Sequence, residues 1–257
     1  MRNTNKQKVF EFTVEKKHKN FFDGTAIDID KVHVKLSGGN SKIGKIVNIN
    51  LLAGDSVLST KDGVLTNVTG TCNGCCDGCK NVCYAVKMEQ RFNNTCVKTH
   101  ATNTILAKTD VNRYFNEISA ALSRMRNPIN AVRYHSSGEI PSYEYLLGMV
   151  ETAKKHPNIK FYFYTKRFAW IERYIKTMGS FPENLVCNIS EWHGNSRKYH
   201  LKGLNKFVYD DGHNPAYKNM FHCPAVKPNG TRTSVTCQQC KRCFSKNDGH
   251  ITCVYSH

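Results

Sequence analysis

The feature that most limits what this 257-residue chain can become is the grouping of its twelve cysteines. Six fall between Cys72 and Cys96 and five between Cys223 and Cys253, and most neighbours within Cys72–Cys83 and Cys237–Cys243 are separated by two or three residues. A secreted disulfide framework spreads its cysteines along the chain, whereas thiols bunched at such gaps read as metal ligands in a reducing compartment. The opening MRNTNKQKVFEF lacks the apolar core of a signal peptide, and no run of about 18 apolar residues is present to span a bilayer. The expectation is a cytoplasmic protein with no membrane partner.

The first group reads TGTCNGCCDGCKNVCYA, with thiols at Cys72, Cys75, Cys76, Cys79 and Cys83. Gly74 and Gly78 let the backbone wrap a compact corner, as a [4Fe-4S] cubane on three or four thiolates requires. Structural zinc uses two short pairs across a longer loop, so five thiols within twelve residues favour a polynuclear cluster. Zinc and redox-active thiols are the alternatives. The second group, CPAVKPNGTRTSVTCQQCKRCF, sets Cys237, Cys240 and Cys243 at ferredoxin-type spacing, with Cys223 available as a fourth ligand. Zinc is the rival there, and Lys227, Arg232, Lys241 and Arg242 would offset part of the thiolate charge. Spacing is compatible with two clusters or with one built from both ends. Cys96, Cys187 and Cys253 read as small buried hydrophobes.

Between the groups, strand and helix patterns alternate. Val111, Tyr114, Phe115, Ile118, Leu122 and Met125 recur at helical spacing after the cap Asp110, and Pro128 ends the pattern. NAVRYH then reads as a strand, YEYLLGMVETAKKH as an amphipathic helix, IKFYFYT as a buried strand and RFAWIERYIKTM as a helix. LVCNIS and KFVY follow as strands. Such alternation implies βαβ crossovers and a parallel sheet, as a barrel or an open doubly wound sheet. Residues 1–70 hold short strand-like runs (KVFEFTV, KVHVKL, KIVNINLL, GVLTNVT) and read as an irregular β-rich lead-in. The expected division is 1–70 for that lead-in, 71–215 for the strand–helix core with the first thiol group, and 216–257 for a Cys-rich segment packed on it.

In parallel α/β folds, functional residues gather after the carboxyl ends of strands. That rule nominates His135, Ser136, Ser137, Gly138 and Glu139 after the first strand, Thr165, Lys166 and Arg167 after the second, and Ser190, Glu191 and His193 after the third. Lys166 and Arg167 suit an anionic ligand. Glu191 and His193 form a candidate acid–base pair. With 37 Lys and Arg against 20 Asp and Glu, the formal charge of +17 would draw in nucleic acid or another polyanion. The basic residues are scattered through every segment, so a solvated surface is the plain alternative. No G-x-S-x-G elbow, P-loop or H-E-x-x-H is present, which removes the commonest serine hydrolase, nucleotide hydrolase and metalloprotease templates.

Two resemblances add to this reading. Cys72, Cys76 and Cys79 stand at the C-x3-C-x2-C spacing of the radical S-adenosylmethionine superfamily, and Ser137-Gly138-Glu139 resembles that family's G-G-E turn. NLVCNISEWHG is similar to its fourth strand, where a serine, here Ser190, contacts the cofactor. The resemblance implies a partial parallel (βα) TIM-type barrel. It further implies a cubane with one iron open to S-adenosylmethionine, and cofactor contacts from Ser137, Gly138, Glu139 and Ser190. Gly78 and Ser137 depart from the family's usual aromatic residue and first glycine. The Cys83-Tyr84-Ala85 triplet, R-Y-H-S-S-G-E, Y-T-K at Tyr164 to Lys166 and the C-terminal C-x-x-C-x-x-C-F together resemble the phage family called gene product 88. That likeness implies a viral product acting in a host cytoplasm.

The leading expectation is an iron–sulfur enzyme with an open iron at a barrel mouth, Glu139, Lys166, Glu191 and His193 as catalytic candidates, and a reductant protein as partner. A hydrolase that uses iron as a Lewis acid is the second expectation. A nucleic-acid-binding protein with structural iron–sulfur or zinc sites is the third.

Overall fold

The computed structural model describes residues 9–12, 30, 32–54, 57–60, 65–73, 75–92 and 96–255. In chain order the strands are β1 Val9–Phe12, β2 Val47–Ile49, β3 Val57–Thr60, β4 Leu65–Thr69, β5 Ala131–Tyr134, β6 Lys160–Thr165, β7 Leu185–Glu191, β8 Asn205–Asp210 and β9 Ile251–Tyr255. The helices are α1 Asp77–Val82, α2 Tyr84–Arg91, α3 Lys98–Thr109, α4 Val111–Ser123, α5 Tyr143–Lys155, α6 Phe168–Met178, α7 Cys237–Cys240 and α8 Arg242–Ser245.

Six strands form one sheet in the order β2-β5-β6-β7-β8-β9, parallel throughout. Each strand lies beside the next in that series, as in a barrel wall, but β2 and β9 are edges and do not pair. The expected parallel α/β core is thus present as a six-stranded sheet that does not close. The division at residues 70 and 215 cuts through it, because β2 and β9 supply its two edges from the lead-in and the C-terminal segment. A second sheet has the order β1-β3-β4.

Strand side chains alternate between faces, and here each face has its own cover. Val132, Tyr134, Phe161, Phe163, Leu185, Cys187 and Ile189 meet the apolar stripes of α4, α5 and α6 in the main core. Asp110 caps α4 through Arg113 N, and Ser142 caps α5 through Tyr145 N, as short polar side chains do at helix starts. At Gly148 an added Cβ would stand 2.2 Å from Phe115 Cδ2, so only glycine lets α4 and α5 approach this closely. On the opposite face, Ala131, Tyr162 and Val186 pack with Ile43, Ile46 and Phe244. Phe244 belongs to α8, which lies on β6 and β7. The Cys-rich segment thus covers the face the crossover helices leave open.

Residues 32–36 of the run KVHVKL form no strand. Its Val34 and Lys35 amides donate to Glu117 Oε2 at 2.9 Å and Asn103 Oδ1 at 2.8 Å, so helix side chains replace a sheet partner. Cys187 and Cys253 are buried, as expected for small hydrophobes, and Cys96 is half-buried. No helix among the described residues is long and apolar enough to cross a membrane.

Candidate metal and ligand cavity

A cavity of about 280 Å³ opens between the carboxyl ends of the strands and the Cys-rich segment. Cys72, Cys75, Cys79 and Cys83 line it from one side, and Cys223, Cys237, Cys240 and Cys243 from another. Cys76 does not line it. None of these thiols is in a disulfide.

The first group is placed by the loop leaving β4. Thr71 N donates to Leu52 O at 2.9 Å, and Cys72 N to Gly54 O at 3.0 Å. At Gly70 an added Cβ would lie 2.2 Å from Gly54 O, so a side chain there would push this loop off its support. Arg167 clamps the same loop, donating to the carbonyls of Asn73, of Thr71 at 2.9 Å and of Ile140 at 3.0 Å. These bonds occupy the guanidinium that had been expected to hold an anion. Lys166 takes the opposite course: its Nζ donates to Ser190 Oγ at 2.9 Å, reaches the Cys79 thiol, and lies 5.6 Å from the Trp192 ring centre. Burial pulls Lys166 down, but Cys79 and Glu139 outweigh it and hold the amine above its ordinary value. Burial likewise pushes Cys72 well up, Cys75 to about 11 and Cys79 upward. Thiols so buried stay neutral at pH 7 unless a metal takes the place of the proton.

The second group hangs on backbone bonds. Cys223 N donates to Cys253 O at 2.8 Å, and Cys237 N to Lys42 O at 3.0 Å. A Thr236–Gln239 capping box starts α7, and Lys241, at φ 59°, turns the chain into α8. Burial, opposed by a bond from Tyr164, raises Cys243 to about 12.

Among the described residues, no three Cys, His, Asp or Glu side chains stand where they could hold one metal ion. A tetrahedral zinc with bonds of about 2.3 Å needs its sulfurs within about 4 Å of one another. A polynuclear cluster ties each thiolate to its own iron and so accepts wider spacing. The two groups offer only thiols, a ligand type that both zinc and iron–sulfur clusters take.

A family model described as gene product 88 matches residues 34–246, most of the chain. The chain belongs to the gene product 88 family. The matched span takes in both thiol groups and strands β5 to β8 of this family member. No curated protein and no solved structure matches the chain.

The nominated site residues separate in space. Ser137, Gly138, Glu139, Lys166 and Ser190 all line the cavity. Three of them are committed to the protein. Ser137 Oγ donates to Glu89 Oε1 at 2.8 Å, and Gly138, at φ 86°, has Leu51 Cβ and Thr71 Oγ1 where a side chain would go. Glu139 accepts from Ile140 N at 2.8 Å, Thr165 Oγ1 at 2.8 Å and Lys166 N at 2.7 Å, which ties the β5 loop to the end of β6. Glu191 and His193 are not brought to the cavity. Strand alternation turns Glu191 to the face opposite Ser190, where it accepts from Ser196 Oγ and, at 3.0 Å, from Lys206 Nζ. His193 is 65% exposed and lies 3.9 Å from Asp211. The hydrolase expectation thereby loses its acid–base pair.

Several polar groups were missed. Glu89, fully buried, accepts from Ala53 N at 3.1 Å and lies 2.6 Å from His100 Nδ1. Trp192 stacks on Tyr209 at 4.1 Å to form one cavity wall. Arg133 lines the cavity from β5. A charge inside the apolar run AVRY was the one available signal for it. His135, by contrast, was among the nominated residues; buried at φ 61°, it lies 3.0 Å from Tyr145 Oη through Nε2, and burial with Arg133 nearby pulls it down to about 3.

Proposed function

We propose that this protein is an iron–sulfur protein that carries a [4Fe-4S] cluster on the Cys72, Cys75, Cys79 and Cys83 group and works on a ligand in the adjoining cavity. One observation carries the reading: thiol groups from opposite ends of the chain line a single cavity at the carboxyl ends of a parallel sheet. Such a cluster supplies an electron-transfer centre, or an open iron where only three thiolates bind it.

The chain's own residues would do the rest. Lys166 holds a positive charge beside Cys79 and stabilises a thiolate there. Arg167 keeps the Cys72 loop in place through three carbonyls. Trp192 and Tyr209 offer a flat wall against which a planar ligand can lie. The substrate this cavity would suit is small, with an anionic group directed at Lys166.

The S-adenosylmethionine form of the reading would use Cys72, Cys76 and Cys79. Cys76 does not line the cavity, and the Ser137 and Glu139 oxygens are already bonded within the protein, so Ser190 and Lys166 are its main support.

Anaerobic purification of the full chain tests both forms. Iron and acid-labile sulfide in near-equal amounts are expected, lost in Cys79→Ser and kept in Cys76→Ser. Zinc without sulfide, or no metal at all, would overturn the iron–sulfur reading. An EPR spectrum unchanged by S-adenosylmethionine would retire the open-iron form alone.

A further inference from the structure

Seven Lys and Arg side chains line the cavity, against Glu139 as the one carboxylate there among the described residues. The Glu139 oxygens already accept from Ile140 N, Thr165 Oγ1 and Lys166 N. Several of the cations are engaged as well. Arg167 holds three carbonyls, and Lys166 Nζ donates to Ser190 Oγ. Arg242 donates through Nε to Thr252 Oγ1 at 3.1 Å and through Nη2 to Ile251 O at 3.3 Å.

Arg133 differs. It stands in the apolar run of β5, beside Tyr162 of β6 in the sheet register, and alternation turns it away from α4 and α5. Its guanidinium carbon lies 4.8 Å from the Tyr164 ring centre, and Phe207 braces that ring edge-on at 4.8 Å. Its Nε is fully buried and has no hydrogen-bond partner. A buried guanidinium is costly unless an anion compensates it, and the cavity's carboxylate is taken by other donors. The Tyr164 ring also holds the fork in place before a ligand arrives, which lowers the ordering cost of binding.

We infer that the cavity carries an anion subsite at Arg133, built for the phosphoryl group of a small phosphorylated ligand; this rests on the ligand-binding reading of the cavity proposed above, not on the cluster. The Nε–H and a neighbouring Nη–H form a pair of parallel donors that matches two phosphoryl oxygens. A phosphate monoester carries about −1.5 to −2 at pH 7, which answers the cavity's cationic excess better than the single charge of a carboxylate. A space of about 280 Å³ suits a small molecule, not a nucleic-acid duplex. The ligand's other anionic group is then the one directed at Lys166.

The test uses the full chain purified anaerobically, with phenyl phosphate and benzoate as probes in titration calorimetry and with iron and sulfide measured on the same samples. Phenyl phosphate should bind wild type at one site per chain, and more tightly than benzoate. Arg133→Gln and Arg133→Met should keep native circular dichroism and bind it about tenfold more weakly or worse, the scale of a lost charged hydrogen bond. Arg133→Lys should recover part of the affinity, since an ammonium keeps the charge and loses the fork. Lys155→Gln, exposed on α5, should bind as wild type does. A crystal structure of wild type grown with phenyl phosphate needs no variant, and should set phosphoryl oxygens within hydrogen-bond distance of Arg133. The inference is overturned by absent binding to wild type, by equal binding in the Arg133 variants, by benzoate bound as tightly, or by the same loss in Lys155→Gln. A crystal structure with the phosphoryl group elsewhere, or with a cluster sulfur against Arg133, would overturn it too. Phosphate binding without iron or sulfide would retire the iron–sulfur reading and uphold this subsite; iron and sulfide without phosphate binding would do the reverse.

Discussion

The Asn188 side-chain amide, midway along β7, donates to the Cys243 carbonyl at 2.9 Å and to the Phe163 carbonyl at 3.2 Å. A single buried side chain thus joins the sheet to the backbone of the second thiol group. Replacing it strands two carbonyls, and a buried acceptor left unmade costs about 1–3 kcal/mol. Asn188→Ala should lower stability by that amount in urea unfolding. An unaltered unfolding midpoint would show that α8 is held by Phe244 packing alone.

Glu89 gathers the Ala53 amide, the His100 ring and the Ser137 hydroxyl on one fully buried carboxylate. Glu89→Ala should cost about 3 kcal/mol or more, the scale for removing one partner of a buried charged cluster. Ser137→Ala should cost only about 1 kcal/mol. Thermal melts of the two variants should differ accordingly, and equal shifts would contradict the ranking.

His135 is held down to about 3 by burial and by Arg133. A histidine lowered on folding stays neutral while the unfolded chain takes up a proton. Its stabilising effect is fully present above the unfolded value of 6.5 and is lost as pH falls from there toward 3. One proton corresponds to a slope of up to about 1.4 kcal/mol per pH unit. Asparagine tolerates the positive φ, so His135→Asn should flatten the fall in stability between about pH 6 and 4. An equally steep fall would show that other groups set it.

Burial works to raise Glu191, but Ser196, Lys206 and Arg197 outweigh it and hold the carboxyl below its ordinary value. The stability it confers is present above the unfolded value of 4.5 and is lost as pH falls through the lower folded value. Glu191→Gln should therefore be less stable than wild type at pH 7 by about 1 kcal/mol, since its partner Lys206 is one-third exposed and solvent screens the pair. The gap should close as pH falls below the ordinary carboxylate value. His193→Ala, at an exposed turn, should stay within about 0.5 kcal/mol of wild type and keep its metal. Loss of metal in either variant would place them at the site after all.

Strands and helices from Val111 onward were legible because amphipathic repeats and capping residues are local. Tyr145, Leu146, Met149 and Val150 declare a buried helix face within one segment. The thiol groups were legible because ligand spacing is local too. Helix α3 was not, since its Asn103 and Thr104 are buried through bonds to Lys35, Asn50 and Leu52, which lie far away in the chain. Sheet closure was not legible either, because it depends on the summed twist and stagger of all the strands.

From its residues alone the chain determined a parallel α/β core, flanked by two sets of closely spaced thiols. Only the tertiary structure decided that both sets line one cavity, that Lys166 faces it, and that Glu191 does not. Spacing sets which side chains can share a face of one strand. Which face becomes the cavity depends on where α8 and the Cys72 loop pack, and those contacts join residues far apart in sequence.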